Sequence, residues 1–407
     1  MRNKLLILLC LGLAGCSGET VPEPPSNYQK VLMEALITAE SGAVIEIPEG
    51  VHEITRGLSL RVDGVTIRGA GMDKSVLSFR NQIQGSEGLM ITGNDVRLEG
   101  FAVEDTVGDA IKINECRNLV IDGVRVEWTN GPDTDNGAYG LYPVQCENVL
   151  IENSVAIAAS DAGIYVGQSE QVVIRHSRAE FNVAGIEIEN TSFADVYENV
   201  ATNNTGGILV FNMPNLPKPG VATRVFKNEV YANNTANFAP EGGAVAGVPA
   251  GSGILINSND FVEVFDNDIR DNETANIIIS SFFATTYTER SAQLDFDPFP
   301  ETIYIYNNRF SGGGSSPDGL DLQTLKLAQY GLSGSFPDVL WDGIVNEELL
   351  VDGSLPADHS ICIPDENVIM LNIDMGNDFA NVREDMTAHR CSHDKLAAVV
   401  LDIAGAE

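Results

Sequence analysis

The chain has 407 residues, of which 43% are hydrophobic and only 7% are aromatic, and it contains 39 glycines. That hydrophobic fraction is enough for a buried core and excludes an intrinsically disordered chain. The 58 acidic residues outnumber 24 basic ones, which gives a net charge of −34. A field of this sign disfavours nucleic acid and anionic lipid as partners, and a uronate polymer would need bridging cations.

The first 15 residues are typical of a secretory leader, because a basic start precedes an apolar run too short to span a bilayer. Residues 13–16, Leu-Ala-Gly-Cys, resemble a bacterial lipobox, which implies lipidation of Cys16. Ser17 resembles the residue that sorts such lipoproteins to the outer membrane. We therefore expect a lipoprotein of the cell envelope, on its periplasmic or surface face, with residues 16–27 as a tether. A plain secretory leader cut elsewhere is the alternative.

Apolar residues recur at helical spacing just after the tether. They predict a helix within residues 27–42 that would cover the end of the repeats that follow. Its apolar positions are Val31, Leu32, Ala35, Leu36 and Ala39.

Short alternating apolar strings then recur, and each ends in a residue that suits a tight corner. Glycine and asparagine tolerate left-handed backbone, so one corner per repeat is predicted. Two further short strands follow each corner. Coils of three strands without intervening helices predict an all-β, right-handed parallel β-helix over residues 28–314. The corner positions, 23 to 40 residues apart, are Gly100, Gly123, Asn153, His176, Asn199, Asn228, Asn267 and Asn307.

The third strand of each repeat carries the phrase seen in DAGIYVGQ, VAGIEIEN and TGGILVFN. Because side chains alternate along a strand, its isoleucines and valines should fill the core. The residues between them should form one outer wall, on which residues one repeat apart are vertical neighbours. The predicted outward positions are Lys112, Asn114, Tyr142, Tyr165, Glu187, Glu189, Leu209, Phe211, Leu255 and Asn257.

Residues 315–407 lose the repeat and are predicted to form a mixed C-terminal cap or a small appended domain. In an oxidising compartment the four cysteines of the mature chain favour disulfides between Cys116 and Cys146 and between Cys362 and Cys391. Other pairings, or free thiols, are the alternatives. Equivalent places in consecutive repeats put the first pair within disulfide reach.

Several phrases carry a family resemblance. GAVIEIPEGVHEI followed by VTIRGAGMDKSVLSF resembles the opening of pectin-lyase-like right-handed β-helix proteins. GAYGLYPVQCENVLIE, SDAGIYVGQS and TGGILVFNMPNLP resemble a family of bacterial parallel β-helix lipoproteins without established activity. The resemblance implies fold and envelope address, and the family's gene context implies a c-type cytochrome as a partner. In pectin-lyase-like folds the wall described above carries the substrate groove.

Four loops longer than a basic repeat flank the wall strand, at residues 129–139, 212–220, 237–252 and 283–300. Long loops beside a rigid scaffold are common places for functional sites. We therefore expect a polysaccharide groove along the wall, with Tyr142, Tyr165, Phe211 and Asn257 contacting sugar. Tyrosines that ladder on the sheet for stability alone are the alternative.

Glu187 and Glu189 lie two residues apart on one face, so their backbones are about 6.6 Å apart by strand rise. Such a pair suits general acid and general base catalysis by a glycoside hydrolase. Asp161, just before its strand, is a further candidate. A solvated acidic pair without a role is the alternative reading. Lys112 is the candidate base for a lyase, although a surface lysine often has no catalytic role.

Some motifs limit these readings. The aspartate groups of polygalacturonases and the Asp-Pro-His phrase of alginate epimerases are absent. Asp133 and Asp135 offer hard oxygen ligands that would suit Ca²⁺, but their sequence is also an ordinary turn. No other cofactor is indicated. The sequence thus favours a protein that binds or processes a polysaccharide, whereas a scaffold docking an envelope partner and an adhesin-like structural protein are the other hypotheses.

Overall fold

The computed structural model describes residues 28–285 and 296–403. In these ranges the chain forms a coil whose rungs contribute one short strand to each of three parallel sheets. Cys16, the leader, the tether and part of the loop 283–300 lie outside the described residues. Neither helix in the described ranges is long and apolar enough to cross a membrane.

Sheet 1 contains eleven parallel strands. They are Val44–Ile47, Thr66–Gly69, Arg97–Glu99, Arg117–Asp122, Glu147–Glu152, Glu170–Arg175, Ser192–Tyr197, Val221–Phe226, Asp260–Phe265, Ile303–Tyr306 and Ile361–Cys362.

Sheet 2 contains ten parallel strands, each of three or four residues. They are Gly50–Glu53, Ser75–Ser78, Ala102–Glu104, Arg125–Glu127, Val155–Ile157, Arg178–Glu180, Val200–Thr202, Glu229–Tyr231, Asp268–Arg270 and Arg309–Ser311.

Sheet 3, which is the predicted wall, contains eleven parallel strands. They are Arg56–Leu60, Gln84–Ile91, Ile111–Asn114, Tyr139–Val144, Ala162–Gly167, Ala184–Glu189, Gly206–Phe211, Ser252–Asn257, Ala275–Ser280, Val339–Trp341 and Met370–Asn372.

The core follows from the alternation within these strands. Ile164, Ile186 and Ile208 stack in register and are fully buried in one continuous apolar cluster. The N-terminal helix Tyr28–Thr38 covers the first rung through Leu32 and Leu36, as predicted. Val31 is instead 51% exposed, so its predicted place on the apolar face is wrong.

At three of the corners between sheets 1 and 2, the residue with left-handed backbone lies one position earlier than predicted. Gly123, Asn153 and His176 have the predicted left-handed backbone, whereas Asn199 does not and Glu198 before it does. The same shift applies to Asn228 and Asn267. Their side chains point inward instead and hydrogen bond along the coil, because an amide can accept from one rung and donate to the next.

Asn228 shows how this ladder works. Its Nδ2 donates to the Val196 carbonyl at 2.9 Å and to Asn267 Oδ1 at 3.0 Å. Its Oδ1 accepts from the Asn199 backbone N–H at 3.0 Å. A second ladder, Asn182–Asn204–Asn233–Asn272, lies at the corner between sheets 2 and 3. Buried backbone groups at two corners are thus satisfied by side chains.

The C-terminal region extends the coil before it leaves it. Sheets 1 and 3 continue past residue 314 through Ile361–Cys362, Val339–Trp341 and Met370–Asn372, while the helix Leu320–Tyr330 packs outside. Residues 396–403 run back along sheet 1, where the Val399 backbone N–H donates to Asp195 Oδ2 at 3.2 Å. The region is therefore attached along the length of the coil.

The two predicted disulfides are confirmed. Cys116 and Cys146 bridge consecutive rungs with Cα atoms 4.5 Å apart, and Cys362 and Cys391 bridge the C-terminal region with Cα atoms 4.9 Å apart.

The asparagine ladder should be a main source of stability. We expect Asn228→Ala to lower the free energy of unfolding by about 2 kcal/mol, because it leaves the buried Asn199 N–H without its acceptor. Asn130→Ala, at an exposed asparagine, is the control and should change it by less than about 0.5 kcal/mol. Equal midpoints of urea unfolding for the two variants would contradict this role.

Candidate functional site

The predicted outward residues of sheet 3 lie on one outer face of the sheet, which we call the panel. Tyr165, Glu187, Leu209 and Leu255 are register neighbours on successive strands, and Glu189, Phe211 and Asn257 form a parallel row. The vertical alignment of these residues is therefore as predicted. The predicted open groove is wrong, because other residues cover much of the panel.

The loop 237–252 covers the middle of the panel. Val245 and Val248 pack with Leu209, Phe211 and Leu255 in one apolar cluster. Phe211 is 4% exposed and Asn257 is 1% exposed, so neither can contact sugar on an open surface as predicted. The Asn257 amide donates to Ser280 Oγ at 2.9 Å and to the Ser281 carbonyl at 3.0 Å. The insertion thus folds onto the wall that it was predicted to flank.

Three tyrosines pack together below this covered part. Tyr139 and Tyr142 stack with ring centroids 4.3 Å apart, and Tyr165 lies edge-on to Tyr142 at 5.0 Å. Tyr165 folds over Gly167, where a Cβ would lie 2.3 Å from the Tyr165 hydroxyl oxygen. The glycine is therefore required for the position of this ring. Tyr142 and Tyr139 are partly exposed, whereas Tyr165 is buried and cannot contact sugar on an open surface as predicted.

Sequence reasoning missed Tyr139. Strict alternation would turn it toward the core, but the next residue, Gly140, already points inward, where a Cβ would lie 2.7 Å from Val126 Cγ2 in the core. Two successive inward residues, Gly140 and Leu141, shift the preceding position to the outer face. The glycine that recurs before each isoleucine, as in DAGI and VAGI, is the signal that could have revealed the shift.

Three carboxyl groups lie among these tyrosines. Tyr165 Oη donates to Glu189 Oε2, and the Tyr139 hydroxyl lies close enough to Asp161 to lower the pKa of that carboxyl group. Glu187 is 1% exposed, and its Oε2 has no hydrogen-bond partner. We call Asp161, Glu187 and Glu189 the carboxylate trio. The alternative of a solvated acidic pair is excluded for Glu187 by its burial.

The trio is held together without a compensating cation. In the part of the chain that the structure describes, no basic side chain pairs with Asp161, Glu187 or Glu189. Lys112 instead pairs with Asp109 at 3.7 Å and lies 4.8 Å from the centre of the Tyr142 ring. Lys112 thus lies beside the tyrosines, at the N-terminal end of the site, and its ammonium group is paired with Asp109.

Burial and mutual repulsion raise the pKa values of the trio. Burial raises the pKa of Glu187 well above its usual range, and the charges of Asp161 and Glu189 raise it further. Burial and the charge of Glu189 raise the pKa of Asp161 to about 7, against a lowering hydrogen bond from Tyr139. Burial also raises the pKa of Glu189, whereas the Tyr165 hydroxyl lowers it. Burial and the neighbouring carboxyl groups thus favour the protonated form of Glu187.

The other predicted ligands lie elsewhere. Asp133 Oδ1 accepts from the Asp135 backbone N–H at 2.9 Å, which is the geometry of a turn closed by a side chain. Both residues are exposed. Within residues 28–285 and 296–403, no three acidic, histidine or cysteine side chains are arranged to hold a metal ion. In these ranges no third ligand accompanies Asp133 and Asp135, and the Ca²⁺ site stays a prediction.

Comparison with known proteins identifies the architecture. The family model for the right handed beta helix region matches residues 59–218. The fold is a right-handed parallel β-helix. A pre-neck appendage protein of Bacillus phage B103 is 25% identical over 215 residues, which are 44% of this chain. The match spans 25% of the phage protein, so it covers about a quarter of that relative's length.

Solved structures with the same β-helix include carbohydrate-acting proteins. The A-module of mannuronan C-5 epimerase AlgE4 from Azotobacter vinelandii is similar with a TM-score of 0.51 at 17% identity, over 77% of this chain and 88% of the module. A DFA-IIIase from Arthrobacter chlorophenolicus A6, in complex with DFA-III, has a TM-score of 0.46 at 11% identity, over 79% and 90% of the two chains. At these identities the similarity shows the fold alone.

The raised pKa of Glu187 makes the stability of the β-helix depend on pH. In an unfolded chain a glutamate loses its proton near pH 4.3. Folded Glu187 keeps its proton to higher pH, so the unfolded state binds fewer protons there and stability falls as the pH rises. We expect Glu187→Gln to melt above the wild type at pH 8, by a margin that shrinks toward pH 4.5.

The control for this measurement is Glu40→Gln, at an exposed glutamate of the N-terminal end. Its melting temperature should follow that of the wild type at every pH. A Glu187→Gln protein that melts below the wild type at pH 8 would show that Glu187 is stabilised as a carboxylate.

Proposed function

We propose that the trio end of sheet 3 binds a carbohydrate and hydrolyses a glycosidic bond. The observation that carries this proposal is Glu187, a buried carboxyl group with an unpartnered oxygen beside two other carboxyl groups, which raise its pKa. An acid and a base on one face are what glycoside hydrolysis needs. The similarity of the fold to mannuronan C-5 epimerase supports a carbohydrate as ligand.

The roles follow from the environments of the three groups. Glu187 gives its proton to the leaving glycosidic oxygen as the bond from that oxygen to the anomeric carbon breaks. Glu189, which is partly exposed and hydrogen bonded by Tyr165, takes a proton from the water that attacks the anomeric carbon. Asp161 is a positioning residue, because its charge keeps the pKa of Glu187 high. Tyr142 offers a partly exposed ring for stacking on a sugar.

Hydrolysis is favoured over elimination because the predicted lyase base is engaged by another residue. A lyase needs a basic residue and neutralisation of a uronate, but Lys112 is paired with Asp109. The net charge of −34 also repels polyuronates. A neutral glycan is therefore the proposed substrate. Because Glu187 is 1% exposed, substrate reaches it only when the covering loop 237–252 or the tyrosine rings shift.

A panel of polysaccharides tests the activity. We expect new reducing ends from a neutral polymer without ultraviolet-absorbing unsaturated products, and a loss of at least about 100-fold in rate with Glu187→Gln, because general acid catalysis contributes about 10²–10⁴-fold. Glu40→Gln should retain the wild-type rate. No product from any polymer, or equal rates for both variants, would remove the hydrolase proposal.

We also propose that the protein is an outer membrane lipoprotein anchored through Cys16. The apolar leader followed by Leu-Ala-Gly-Cys supports this proposal. Cells fed an alkyne-bearing palmitate should label the wild-type protein, which should fractionate with the outer membrane. Cys16→Ser should abolish both, and a label that persists in this variant would contradict the anchor.

A further inference from the structure

Sheet 3 changes character along its length. In the N-terminal half of the sheet, the outer face presents Lys112, Tyr142, Tyr165 and Glu187 on successive strands. From the next strand onward the same column is Leu209, Leu255, Ile278, Leu340 and Leu371. The panel therefore has a polar half, which holds the trio, and an apolar half.

The apolar half contains a cavity of about 370 Å³. This volume lies within the range of sites that bind small organic ligands. Its floor is the outer face of sheet 3, and its sides come from the loop 237–252, the residues around Leu320 and the short helix Met375–Asn377. Apolar residues that line it include Phe211, Leu255, Ile278, Leu340, Ile373 and Met375.

The cavity adjoins the trio through the strand register. Phe211 is the neighbour of Glu189 on the next strand, and Leu255 lies two strands beyond Glu187. At about 4.8 Å per strand, the floor from Leu255 to Leu340 lies about 10 to 19 Å from Glu187 along the coil. One ligand of moderate length is therefore long enough to occupy both halves of the panel, once the loop 237–252 that covers Leu209 and Leu255 between them shifts, as the proposed function already requires.

A few polar groups converge on the cavity. Asn257, Ser280 and Asp342 line it, and Asp342 is 4% exposed. Both carboxylate oxygens of Asp342 accept backbone hydrogen bonds, from Ser281 at 2.6 Å and from Ile344 at 3.0 Å. These groups are already satisfied, so the walls offer mainly apolar contact. Such a lining binds a hydrocarbon group in preference to a sugar.

We propose that this cavity holds an apolar substituent, such as an alkyl or acyl chain, of the carbohydrate whose sugar lies at the trio. The ligand is then amphiphilic, and the panel matches it with a polar half and an apolar half. The inference rests on the proposed function for its sugar end, but the cavity can be tested by itself.

Binding of N-phenyl-1-naphthylamine, a neutral apolar dye that fluoresces on burial, tests the cavity. The full-length wild-type protein should bind one dye per chain with a saturable rise in fluorescence. Ile278→Trp fills the floor, and Met375→Trp fills the rim at a residue that is 37% exposed, where folding is little affected. Both should weaken dye binding at least about tenfold. Leu332→Trp, 88% exposed and outside the cavity, should bind like the wild type.

Alkyl glucosides below their micellar concentrations then test the link to a sugar. Butyl, hexyl and octyl glucoside should displace the dye with about fourfold tighter binding per added methylene, as expected for burial of hydrocarbon. A flat dependence on chain length, no saturable dye binding, or unchanged dye binding by both Ile278→Trp and Met375→Trp would overturn the proposal.

Failure of the two proposals can be told apart. Glu187→Gln should bind the dye like the wild type, because Glu187 does not line the cavity. Dye binding without hydrolysis of any glycan supports the cavity and removes the hydrolase. Hydrolysis that proceeds with no dye binding removes the apolar subsite and leaves the hydrolase standing.

Discussion

The stacking of rungs in fixed register is the constraint on which the rest of this structure depends. Each strand pairs with the equivalent strand of the next rung, so a side chain has a vertical neighbour about 4.8 Å away. Apolar neighbours such as Ile164 and Ile186 then form the core, while asparagine ladders satisfy the corners. The same stacking places Glu187 next to Tyr165 of the preceding strand, and it brings Asp161 of the preceding rung near enough to raise the pKa of Glu187.

Because one wall is covered, its buried carboxyl groups have raised pKa values. An acidic pair on an open sheet would be hydrated and ionised near pH 4. Here the loop 237–252 and the tyrosine cluster exclude water, so the pKa of Glu187 rises well above that range. In the part of the chain that the structure describes, no basic side chain pairs with the trio to offset the repulsion. The panel therefore has a buried carboxyl group with a raised pKa at one end and an apolar cavity at the other.

The sequence predicts what depends on local pattern and vertical register. Alternation identified the isoleucine stacks and the column Tyr165–Glu187–Leu209, and equivalent places in two repeats identified the disulfide between Cys116 and Cys146. Tyr139 escaped because an inward glycine breaks the alternation. The burial of Glu187 escaped because it depends on how a loop without a repeat packs. Leu340 and Asp342 escaped because their region has no visible period.

The state of the Glu187 carboxyl group is the most direct test of this account. Carboxyl carbon NMR of protein labelled at glutamate, assigned with Glu187→Gln, measures whether the group carries its proton at neutral pH. We expect the Glu187 signal to have the shift of a protonated acid at pH 7 and to move only at higher pH. A signal that titrates near pH 4 would show an ordinary carboxylate and would contradict the proposed acid.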